Sequence, residues 1–101
     1  MALDCKNLTE VTDITNQCKY EDSRSGDKRD FVSCCQDNGY NELRNKLKTF
    51  KNIFPSLSDS IILKSMCECC NKIPHYKRTH EKFDECVERT LYIEELKGKK
   101  L

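Results

Sequence analysis

The sequence predicts an all-α, disulfide-rich single domain over residues 1–101, a small bundle of about four to five short helices. Three observations predict it. Apolar residues recur at steps of three and four along most of the chain, and no strand-like alternation of useful length interrupts them. Eight cysteines (Cys5, Cys18, Cys34, Cys35, Cys67, Cys69, Cys70 and Cys86) span nearly the whole length. Leu, Ile, Val and Phe together number 22 of 101, just above the composition at which chains stop folding unaided. A core that thin needs covalent staples, a metal or a partner. An even cysteine count in a short polar chain reads as a disulfide framework, and such frameworks form in oxidising compartments. Each bridge over loops of this size adds roughly 3 kcal/mol by restricting the unfolded chain, and four supply on the order of 10 kcal/mol. That is comparable to the net stability of an ordinary domain.

The elements follow in order. Cys5, Leu8, Val11, Ile14 and Cys18 step by three or four and predict a first helix, although its threonines are poor helix formers. Residues 20–28, polar and carrying Ser23, Ser25 and Gly26, read as a loop. Asp27 is placed to cap a second helix holding Phe31, Cys34 and Cys35, which Asn38-Gly39 stops through a left-handed glycine. A third helix spans about 41–53 with Leu43, Leu47, Phe50 and Phe54 as its stripe, and Pro55 ends it by restricting Phe54. Ser56 and Asp59 have the spacing of a capping box for a fourth helix, which carries Ile61, Ile62, Met66, Cys69 and Ile73 up to Pro74. A fifth helix spans about 79–97, with Phe83, Cys86, Val87 and Leu91 inward. Its acids come early (Glu81, Asp84, Glu85) and its lysines late, the order that complements a helix dipole. Gly98 caps it, and the last three residues form a fraying tail.

Cysteine spacing adds connectivity. On a helix Cys34 and Cys35 point about 100° apart and reach different elements. Cys67 and Cys70 share one face of the fourth helix while Cys69 points away. The fourth helix is therefore expected to be a central strut tied on more than one side; the first, second and fifth helices are the expected partners, although spacing does not choose the pairs. Eight cysteines allow about 105 pairings, and forbidding bonds between neighbours still leaves about 54. The order C, C, CC, CxC resembles the opening of the eight-cysteine pattern of plant lipid-transfer and seed-storage proteins. The likeness covers the order of six cysteines; here the seventh follows the sixth directly and the intervening lengths differ. It implies, by analogy, a compact stapled helical fold.

The net charge of +1 with 35% charged residues carries no bulk basicity for nucleic acid. No segment approaches the roughly 20 apolar residues of a membrane span. Met1-Ala2 has neither the charged start nor the apolar run of a signal peptide, so Met1 reads as a start codon ahead of a mature fragment. Asn7-Leu8-Thr9 is an N-glycosylation triplet, in line with secretion.

Several local patterns bear on chemistry. Cys67, Cys70, His75 and His80 form C-x2-C-x4-H-x4-H, which resembles a zinc knuckle with His in place of the last Cys. The knuckle's glycines are missing, and a shared helix face explains the cysteine pair better, so no metal is assigned. Cys69-Cys70 ahead of His75 is similar to secreted phospholipases, but the spacing differs and Tyr76 follows the His. No Ser-His-Asp set or paired carboxylates appear, so the chain is expected not to be an enzyme and to need no cofactor. Lys46, Lys48 and Lys51 lie along the third helix, and Lys72, Lys77 and Arg78 flank Pro74 with Tyr76 between them. The expected contact set is Lys46, Lys48, Lys51, Lys77 and Arg78, against the plainer view of a solvated charged face. The expected function is a secreted, non-enzymatic, toxin-like or receptor-interaction ligand, presenting a rigid charged helical surface to a protein receptor or channel. One alternative is a carrier of a small hydrophobic ligand lined by Phe50, Phe54, Ile61, Ile62, Phe83 and Leu91. A zinc-dependent interaction module is the other. An exposed stripe on the first or fifth helix would suit a homodimer.

Overall fold

The computed structural model of the chain describes residues 2–19, 31–36 and 39–98. Its helices are α1 (Thr12–Thr15), α2 (Gly39–Ile53), α3 (Asp59–Lys72) and α4 (His80–Gly98), with one 3-10 turn at His75–Lys77 between the last two. No strand occurs among the described residues, only an isolated antiparallel bridge between Phe31 and Thr79. This is a small disulfide-rich all-α fold.

The three long helices lie where apolar spacing and stop signals put them. α2 runs to Ile53 and buries Leu43 and Phe50. Phe54 closes it as a fully buried side chain, and Leu57 N–H donates to Phe54 O at 3.1 Å across the following turn. The cap of α3 is Ser58, not Ser56: its hydroxyl accepts from Ile61 N–H at 3.3 Å. Burying Leu57 sets the register, since the turn that seats this side chain leaves Ser58 extended at ψ 157° and facing the open helix end. α3 buries Ile62, Leu63, Ser65, Met66, Cys67, Cys69 and Cys70, so it is covered on most of its circumference by α2, α4 and the N-terminal segment. α4 begins where Thr79 accepts Lys82 N–H at 3.2 Å, and it buries Phe83, Val87 and Leu91.

The first two predicted helices need correction. The first shrinks to four residues. Its apolar register survives, with Leu8, Val11 and Ile14 all buried. Asn7 at φ +58° breaks the chain direction, and residues 3 and 4 are held by side-chain amides from distant positions. Asn71 accepts Leu3 N–H at 2.8 Å and donates to Leu3 O at 2.9 Å. Gln17 does the same for Asp4, at 2.6 and 2.7 Å. Each amide imitates a neighbouring strand, and that competes with helix formation.

The second predicted helix is not there over residues 31–36, which lack helical structure. Asp27, its expected cap, and Asn38 lie outside the described residues, as do the 20–28 loop and the 99–101 tail. In its non-helical path the segment sends adjacent cysteines to different partners, Cys34 to Cys70 and Cys35 to Cys18. Gly39, expected to stop this helix, instead opens α2 and does not take the left-handed conformation. Its role is close approach. A Cβ there would meet Thr15 Cγ2 at 3.1 Å and the backbone of Ser33 and Cys34 at 3.2 Å.

All eight cysteines pair: Cys5–Cys67, Cys18–Cys35, Cys34–Cys70 and Cys69–Cys86. α3 is the hub. Its three cysteines bond to the N-terminal segment, to residues 31–36 and to α4, the regions expected as the first, second and fifth helices.

Candidate functional site

Of the five basic residues picked as contacts, three lie on α2 and two on the turn ahead of α4. On α2, Lys46 leans onto α4: Nζ lies 2.7 Å from Asp84 Oδ1 and 5.8 Å from the Phe83 ring centroid, and its side chain is only 14% exposed. Lys51 donates to Leu57 O at 2.6 Å and lies 3.6 Å from Asp59, so it closes the turn between α2 and α3. Lys48 is exposed. The lysines of α2 are therefore divided among different tasks and do not make one open row. Lys77 is exposed, with Nζ 5.7 Å from the Tyr76 ring centroid.

Arg78 corrects the sequence reading outright. It is 3% exposed and works inside the molecule. Nε donates to Ile73 O at 2.9 Å, Nη1 to Val32 O at 2.9 Å and Nη2 to Cys70 O at 2.8 Å. Its own carbonyl accepts Val32 N–H at 2.8 Å. The last carbonyls of a helix have no partner within it, and a buried one is costly if left unpaired. A planar fork of five N–H donors can satisfy several at once, and a cation suits the negative end of the helix dipole. Arg78 thus joins the C-terminal end of α3 to residues 31–36, beside the Cys34–Cys70 bond. The signal for this was faint: one arginine eight residues beyond the last cysteine of α3 looks like any surface cation.

His75 is also buried and tilts against Phe31, with ring centroids 5.9 Å apart. Cys67 and Cys70 are committed to disulfides, so the knuckle pattern has no thiolates to offer a metal. Among the described residues no group of three or more His, Cys, Asp or Glu is placed to hold one. Five of the six residues proposed to line a carrier cavity (Phe50, Phe54, Ile62, Phe83 and Leu91) are packed as core. Ile61 is half-buried and edges a shallow groove with Cys5, Asn7, Leu8, Ser60 and Lys64.

The outer face of α4 carries a second shallow groove, lined by Glu81, Asp84, Glu85, Glu88, Arg89 and Tyr92. Arg89 pairs with Glu85 at 2.9 Å, and Asp84 is taken by Lys46. Tyr92 stands edge-on to Phe54, centroids 5.0 Å apart, and with Ile93 and Leu96 leaves an apolar stripe open on the last third of the helix. At the other end of the chain Asp13 is held below its ordinary carboxylate value. Thr9 N–H is the leading cause, followed by Glu10 N–H and the Thr9 hydroxyl, at 2.7, 2.9 and 3.0 Å.

Four disulfides, with no helix among the described residues long and apolar enough to cross a membrane, are consistent with an extracellular protein. Set beside known proteins, the chain matches no family model, no curated protein and no solved structure.

Proposed function

We propose that the protein is a secreted, non-enzymatic binding protein that offers a rigid, charged helical surface to a membrane receptor or channel. One observation carries the reading: α3 is bonded through sulfur to three separate segments, so the surface around it is set before any partner arrives. A surface ordered in advance loses little conformational entropy on binding, and a small domain can then bind tightly. The charged exterior supports electrostatic steering of the encounter. The contact set narrows to Lys48 and Lys77, both exposed, together with the partly exposed Lys51. Arg78 leaves the set because its guanidinium is spent on backbone carbonyls.

The test is saturable binding of the labelled, disulfide-intact protein to intact cells at low and high salt. Reversing Lys48 and Lys77 to Glu should weaken binding at least tenfold while the melting temperature stays unchanged. Equal binding by the reversed variant would remove these lysines from the interface, and a complete lack of saturable, salt-sensitive binding would remove the reading.

A further inference from the structure

Asn7 is the only asparagine in the chain followed two places later by serine or threonine. The fold places it where a glycan fits. It lies outside every helix, in a bend, exposed to solvent, and its side chain has no hydrogen-bond partner among the described residues. Its backbone, at φ +58°, turns away from the direction of its neighbours. Leu8, next in line, is buried, so the turn anchors one side chain inward and leaves its predecessor outward. Asn is also one of the few residues that tolerates a left-handed turn, so the conformation alone would account for it. The triplet and the open, unpartnered amide go beyond what the turn requires.

We propose that Asn7 is an N-glycosylation site, a proposal that rests on the secretory reading above. In the reaction the Asn7 side-chain nitrogen attacks the anomeric carbon of a lipid-linked oligosaccharide. The C–N bond forms, the bond from that carbon to the lipid pyrophosphate breaks, and the amide gives up one proton. A host oligosaccharyltransferase supplies the catalyst and the oligosaccharide donor. Timing favours the acceptor. Cys5, two residues upstream, bonds to a cysteine 62 positions later, so the triplet passes the enzyme before its own disulfide can form. Once the chain is folded, Thr9 Oγ1 turns to Asp13 at 3.0 Å and Asn7 remains outside, so the attached sugar displaces nothing. The glycan would then overhang the groove of Cys5, Leu8, Ile61 and Lys64 and keep that face away from partners.

The experiment directs residues 1–101 into the secretory pathway of a eukaryotic cell behind a cleavable leader. Intact masses are read for the secreted and the cell-retained chain, before and after an N-glycosidase. The expected result is carbohydrate mass that the glycosidase removes from the wild type and from Thr9→Ser. It should be absent from Asn7→Gly, which keeps the turn, and from Thr9→Ala. A wild-type chain carrying four disulfides at its bare peptide mass overturns the site. A glycosylated chain that stays in the cell with reduced thiols supports the site while counting against the secreted reading.

Discussion

α2 and α3 are almost equal in length, at 15 and 14 residues, and are held by different chemistry. α3 carries three cysteines in its last six residues and is bonded to three other segments. α2 carries none. It is held by Leu43 and Phe50 below, by Phe54 and Leu57 in the turn that follows, and by Lys46 reaching to Asp84. A disulfide acts largely on the unfolded chain and is insensitive to small errors in packing nearby. An apolar contact acts on the folded state and is lost in proportion to the area and fit removed. The two helices therefore have different weak points: α3 fails when sulfur is reduced, and α2 fails when a ring is removed.

The largest expected effect follows from this contrast. Full reduction removes on the order of 10 kcal/mol, as much as such a domain has to lose. The reduced, alkylated chain should show no cooperative thermal transition by circular dichroism. A sharp melt surviving alkylation would mean that apolar packing carries α3 as it carries α2.

Next in size, Phe50→Ala with all disulfides intact should cost about 3–5 kcal/mol, the usual figure for emptying a buried ring site. Hydrogen exchange sharpens the comparison. The α2 amides should lose protection first, while those of residues 67–70 keep theirs behind their three bonds. Uniform loss of protection along both helices would show that they open as one unit.

A smaller change is expected at the polar tie between α2 and α4. Lys46→Met keeps the buried stem over Phe83 and removes the charge opposite Asp84, whose side chain is 38% exposed. Partial solvent access keeps the cost to about 1 kcal/mol or less. A double-mutant cycle with Asp84→Asn, read from denaturant midpoints, should return a coupling of that size. Strict additivity would show that the pair contributes nothing to holding α2.

The smallest effect belongs to Asp13, which lies on α1 and outside both helices. Hydrogen bonds to the ionised carboxylate lower its pKa in the folded state below the ordinary 3.8. Its contribution is thus complete above that value and disappears as pH falls through the lower, folded one. Wild type and Asp13→Asn should differ slightly in melting temperature above about pH 4 and converge in stronger acid. A difference that grows on acidification would reverse the sign and disprove the assignment.

The success of the sequence reading was uneven, for identifiable reasons. α2, α3 and α4 were visible because each has a long apolar stripe and a stop within one turn of its end, Pro55 and Pro74 being two of them. The helix expected around Phe31, Cys34 and Cys35 had neither length nor a sustained stripe. Gly39 there resembles a helix stop in sequence, but its task is to let Thr15 and the Cys34 backbone come close. Arg78 and the Lys46 ammonium were read as surface charge because a cation's sequence neighbours do not show which distant carbonyl or carboxylate it will meet. The clamps made by Gln17 and Asn71 on residues 3 and 4 left no trace in the pattern at all.

By itself the sequence determined that sulfur would supplement a sparse core, that the chain would be helical, and that the helix with three cysteines would be tied on more than one side. These properties depend on residue counts and on spacing within a few turns, where the geometry of a helix is known in advance. Only the tertiary structure decided which cysteines pair, that residues 31–36 leave the helical path, and that Arg78 lies inside. Each of those outcomes depends on atoms far apart in the chain meeting at hydrogen-bond or bond distance, and local periodicity carries no information about which distant groups will meet.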